Sequence, residues 1–86
     1  MSFLDGVLDF GDHQMRLQEF IIGPNSPLVG LTLREAQLNA SVLAISAPEQ
    51  GVLTHPKADD VLLPGSAIIV MGLDQELSKL ARLVKG

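Results

Sequence analysis

The run Ala67-Ile68-Ile69-Val70-Met71 constrains the fold of this chain more than any other segment. It is set off by Pro64-Gly65 on one side and Gly72 on the other. β-Branched side chains favour extended backbone, and a short segment apolar on both faces belongs in the middle of a sheet. It is also the longest apolar run, far below the roughly 20 residues that span a bilayer. The segment is therefore predicted to be a central strand and not a membrane anchor.

The segment after this strand is equally defined. Asp74 stands where a helix cap is expected, and Leu77, Leu80, Ala81 and Val84 recur at i, i+3, i+4 and i+7. That spacing aligns them in one stripe, while Lys79, Arg82 and Lys85 fall late in the helix, where its dipole favours cations. A strand running directly into an amphipathic helix lets the helix fold back and cover the sheet.

Upstream, Met15 to Ile22 alternates. Met15, Leu17, Glu19 and Ile21 lie on one side and Arg16, Gln18, Phe20 and Ile22 on the other, before the turn Gly23-Pro24-Asn25. Thr32-Leu33-Arg34-Glu35 has the form of a capping box, predicting a short helix over about Leu33 to Leu38 that stops at Asn39. Val42 to Ser46 is apolar enough for a buried strand. Pro48-Glu49-Gln50-Gly51 supplies turn chemistry, and Val52 to His55 is the second arm of a hairpin. The predicted architecture is α+β, a small sheet in β-α-β-β-β-α order with helices on one face.

Residues 1–14 contain three Asp, one His and no evident strand pattern, and are expected to form a linker or N-terminal tail ahead of a domain over 15–86. Leu4, Val7 and Leu8 have helical spacing, so a short amphipathic turn is the expected local structure.

Composition matters where it excludes functions. A net charge of −4 with no Lys/Arg cluster disfavours nucleic acid, whose binding needs a basic face to displace counterions. The absence of Cys excludes disulfides and thiolate metal sites. The acidic N-terminus has the wrong polarity for a signal peptide. With 86 residues and 3% aromatics the core is thin, and burial against a partner is the usual remedy. Val42, Ile45, Val52 and Leu53 of the hairpin cannot all face the helices, and outward apolar residues mark a partner site, so these four are the expected dimer interface.

Over about Met15 to Val84 the chain resembles the C-terminal domain of the RCK, or TrkA, regulators of potassium channels and transporters. The resemblance is carried by Ser26-Pro27-Leu28-Val29-Gly30-Leu31-Thr32-Leu33, Val42 to Ile45, His55-Pro56, Asp60-Val61-Leu62-Leu63-Pro64-Gly65-Ser66, and Ile68-Ile69-Val70-Met71-Gly72 leading into Leu77. It implies a two-fold homodimer, cytoplasmic at the inner face of the cell membrane through a parent channel or transporter, or through a preceding Rossmann-type domain. It also implies a small ligand or ion between the two copies that controls gating.

Several members of that family bind cyclic di-AMP, with an arginine near the end of the second strand facing phosphate and an Asn-Pro pair holding the base. The matching positions here are Ile45-Ser46-Ala47 and His55-Pro56. Ile45, Ser46, His55 and Pro56 are thus the implied ligand-binding residues, without the arginine that would pair bidentately with phosphate. His55 or Lys57 would have to replace it. A divalent cation is the other implied regulatory ligand, and a ligand-free module holding subunits together is the alternative function.

Chemistry beyond binding has little support. Ser46, His55 and Asp59 or Asp60 have the residue types of a hydrolytic triad, but no nucleophile elbow accompanies them. No enzyme activity is expected. Asp9, Asp12, His13, Glu49, Asp59 and Asp60 lack calcium-loop spacing and are expected to keep the surface soluble, with no resident metal.

Overall fold

The computed structural model describes residues 5–11 and 13–86. Among these residues five strands form one antiparallel sheet: β1 Asp5–Phe10, β2 His13–Ile21, β3 Ser41–Ala47, β4 Gly51–Leu53 and β5 Ala67–Gly72. Their spatial order is β1-β2-β5-β3-β4. The described residues also form two helices, α1 Leu33–Ala36 and α2 Asp74–Lys85. From β2 onward the order is the predicted β-α-β-β-β-α, with β5 central.

The main departure is β1. Residues expected to be linker, with a helical turn, instead form a strand from Asp5 to Phe10, paired with β2 from Asp5↔Gln18 to Phe10↔His13. Leu4, part of the expected turn, lies outside the described residues. Next to the Phe10↔His13 pair, Gly11 adopts φ 73°, the positive-φ geometry that tight hairpins need. Cross-strand pairing with β2 outweighs the helical spacing of three apolar residues, because so short an isolated helix has little stability.

The core lies on one face of the sheet. Phe20 pairs with Ile68, and Ile68 also pairs with Ile45, so these three side chains share a face. They are buried with Val70, Ile22, Leu28 and Leu62 beneath Leu77, Leu80 and Val84 of α2. That stripe packs across β2 and β5. The opposite face carries Leu17, Ile69, Met71 and Ala44, which remain partly exposed, and Ile21, which is exposed.

Helix ends follow local chemistry, with two changes from expectation. At α1 the Thr32 hydroxyl accepts from the Glu35 N–H at 3.1 Å while the Glu35 carboxylate accepts from the Thr32 N–H at 2.9 Å, completing the capping box. The helix ends early, because Gln37 is left-handed at φ 48°. At α2 the cap position is Leu73, not Asp74. Its side chain cannot accept a hydrogen bond, so Glu76 reaches back to the Leu73 N–H at 2.8 Å. Asp74 instead occupies the first turn and pairs with Arg16 at 3.3 Å.

Two glycines are demanded by geometry. Gly65 has φ 80° in the turn Leu63-Pro64-Gly65-Ser66, closed by the Ser66 N–H to the Leu63 carbonyl at 3.2 Å. At Gly72 a Cβ would meet Ala40 Cβ at 3.1 Å and Glu76 Oε1 at 3.0 Å, so glycine lets α2 begin close against the strand end.

Candidate functional site

β3 and β4 form the hairpin at one edge of the sheet. The turn between them places Glu49 at φ 64° and Gly51 at φ 81°, with the Gln50 N–H donating to the Ala47 carbonyl at 3.1 Å. β4 pairs over only three residues, Ile45↔Leu53, Ser46↔Val52 and Ala47↔Gly51, and among the described residues no further strand covers its outer edge. The chain then returns along the rim through a turn in which the Lys57 N–H donates to Asp60 Oδ2 at 2.6 Å and the Asp60 N–H to the Lys57 carbonyl at 3.0 Å. A backbone bridge between Thr32 and Val61, and the Leu62 N–H bond to the Leu31 carbonyl at 2.8 Å, anchor this return.

Between hairpin and rim lies a groove of about 360 Å³. Its walls are Ile45, Ala47, Val52 and Leu53 from the hairpin and Val61 and Leu63 from the rim, joined by Gln50, Gly51 and Asp60. Val52 is 65% exposed, Val61 47% and Leu53 40%, whereas Ile45, at 5%, forms the floor and belongs to the core. Asp60 is the one ionisable lining residue among those described.

The groove gathers three of the sequence-predicted residues, Ile45, Val52 and Leu53, and leaves the others outside. Val42 is partly buried on the helix-covered face, opposite Val70. Ser46 is exposed on the open face beside Val52. His55 is exposed beyond the end of β4, its Nδ1 3.1 Å from Thr54 Oγ1, and Pro56 is half-buried next to it. Lys57 is exposed and does not line the groove. The expected four-residue interface is thus divided. Val42 and Ile45 pack inward, Leu53 sits at the groove mouth, and Val52 is the most exposed of the four.

Val61 and Leu63 carry no expected site role. Their signal is the alternation Val61-Leu62-Leu63, in which the fully buried Leu62 turns its neighbours away from the core. Gln50 comes with the hairpin turn, whereas Asp60 enters only because the folded rim approaches the hairpin, a proximity that no local pattern encodes.

The two aspartates of the triad residue types have partners of their own. Asp59 is ion-paired with Arg34, and Asp60 is held by the Lys57 amide. Among the described residues no three His, Cys, Asp or Glu side chains cluster as a metal site would require. Glu35 has its carboxyl held below its ordinary value, by the hydrogen bond from the Thr32 backbone first and the Thr32 hydroxyl second. That is a cap, outside the groove. No helix of the described residues is long and apolar enough to cross a membrane.

A known domain family matches most of this chain. The family model described as the TrkA-C domain matches residues 17–85, and the chain belongs to that family. Among solved structures it is similar to the RCK_C domain dimer of S. agalactiae BusR in complex with c-di-AMP. The TM-score is 0.68 at 21% identity, over 77% of this chain and 91% of that one. It is also similar to the GsuK channel bound to NAD, with a TM-score of 0.67 at 23% identity, over 81% of this chain. There the likeness spans only 13% of the channel's length. No curated protein matches. The matched region begins at Leu17, so β1 precedes the part shared with the family.

Proposed function

We propose that this chain is a non-catalytic regulatory and dimerisation domain of a potassium channel or transporter, cytoplasmic through its parent protein. Two copies associate through the β3–β4 hairpin, and a small ligand or ion held there controls their relative angle and hence a gate. The observation that carries this proposal is the groove itself, in which Val52, Leu53 and Val61 present apolar surface at an uncovered sheet edge. Such a surface gains most by meeting its own copy, and a two-fold axis would bring two grooves together. The family membership and the BusR dimer with c-di-AMP support the same proposal.

A ligand changes the pairing angle only if it binds one arrangement more tightly than the other. Cyclic di-AMP, the NAD seen with GsuK and divalent cations are the compounds to test. A binder at 100 times its dissociation constant raises folding stability by about 2.7 kcal/mol, readable as a thermal shift. Sedimentation should give the mass of two copies. A monomer at high micromolar concentration, with no shift by any of these compounds, would sink the proposal.

One observation favours a second function, a ligand-free assembly module. Among the described residues no Lys, Arg or His lines the groove, so a phosphate ligand would find no charged partner within one copy. Dimerisation without any thermal shift across the panel would select that alternative.

A further inference from the structure

We propose that the groove accepts a small organic cation, an ammonium group on an aliphatic body, in preference to a phosphate or carboxylate anion. This rests on the groove being the ligand site, as proposed above. Six aliphatic residues, Ile45, Ala47, Val52, Leu53, Val61 and Leu63, line it, Val52 from the opposite side of β4 to Leu53, and its volume of about 360 Å³ suits a small molecule.

The polar part of the lining has one sign. Asp60 is its ionisable residue and Gln50 its amide. Asp60 Oδ2 accepts from the Lys57 N–H, which leaves Oδ1 without a protein partner among the described residues. An ionised carboxylate accepts at both oxygens, so the open oxygen seeks a donor. The cations nearby are committed or displaced. Arg34 pairs with Asp59, and Lys57 and His55 lie outside the lining. An anion entering the groove would shed water and meet no charged donor, whereas an ammonium would exchange water for a carboxylate. The net charge of −4 adds a long-range field of the same preference.

Three probes built on the same cyclohexyl body test this: cyclohexylammonium, cyclohexanol and cyclohexanecarboxylate, titrated at matched ionic strength into the full chain while methyl NMR signals are followed. The ammonium is expected to move the Leu53, Val61 and Leu63 methyls with a dissociation constant roughly tenfold below that of the carboxylate, as one charge-assisted contact provides. Asp60→Asn keeps an oxygen for the Lys57 N–H and should bring the ammonium to the level of cyclohexanol, leaving cyclohexanol unchanged. Equal or tighter binding of the carboxylate, or an ammonium preference that survives Asp60→Asn, overturns the proposal while leaving the groove as a ligand site. If none of the three, cyclohexanol included, moves those methyls, the groove itself fails as the site.

Discussion

The hydroxyl of Ser26 donates to the main-chain carbonyl of Leu83 at 2.6 Å, joining the loop after β2 to the last turn of α2. The same oxygen accepts from the Leu28 N–H at 3.1 Å, and the Gly23 N–H reaches the Val84 carbonyl at 2.7 Å. Carbonyls at a helix C-terminus have no intrahelical donor, so this loop is the α2 cap, supplied from 57 residues away along the chain. It holds α2 over the core that supports the groove floor.

Ser26→Ala removes both hydrogen bonds at once in a buried place. The expected cost is about 1–3 kcal/mol, since a donor and an acceptor lose their partner. Urea denaturation with an unchanged slope measures it, and a change within about 0.5 kcal/mol would show that water replaces the hydroxyl.

The α1 cap makes a pH prediction. The Glu35 carboxyl is held below its ordinary value by the Thr32 backbone and hydroxyl. Its contribution is therefore fully present above the unfolded-state value of about 4.3 and is lost as pH falls through the lower folded value. Thr32→Ala is expected to cost about 1 kcal/mol at neutral pH. Glu35→Gln should flatten stability below about pH 5 relative to the wild type, and identical acid limbs for the two proteins would refute the assignment.

Ile68 is fully buried between Phe20 and Ile45 in the centre of the sheet. Ile68→Ala is expected to cost about 2–5 kcal/mol, through lost transfer energy plus the cavity left behind. Chemical denaturation measures this, and a loss under about 1 kcal/mol would mean that the core collapses into the space.

Substitutions in the hairpin should separate pairing from folding. Leu53→Asp and Val52→Asp change exposed groove residues and are expected to yield folded monomers by sedimentation and circular dichroism. Ile45→Asp places a charge in the core floor and is expected to unfold the chain. A dimer that persists in both exposed variants would move the interface elsewhere.

Much of this fold can be read from local pattern. The Pro64-Gly65 turn, the apolar β5, the Thr32–Glu35 box and the Leu77–Val84 stripe each depend on contacts within a few residues, and each forms where its pattern predicts. β1 escapes such a reading. Gly11-Asp12 between two short segments is a hairpin signal, but the apolar spacing before it also fits a helical turn. The ends of α1 and α2 differ from expectation by a residue or more, since Gln37 takes the left-handed position and Leu73 the cap.

The hairpin shows the limit of such patterns. Val42 and Ile45 are three residues apart, so a regular strand would put them on opposite faces. The register shift between Val42 and Ala44 inserts one extra position, and both then face the helix-covered side, opposite Val70 and Ile68. Local residue chemistry dictates which segments are strand, turn and helix, and loads the hairpin with more apolar surface than one covered face accommodates. The assembled sheet alone selects which of those side chains stay outside and brings Asp60 and Val61 beside Leu53 in one groove. Turn chemistry and periodicity act within a few residues, whereas a bulge and a groove exist only once strands far apart along the chain have found their register.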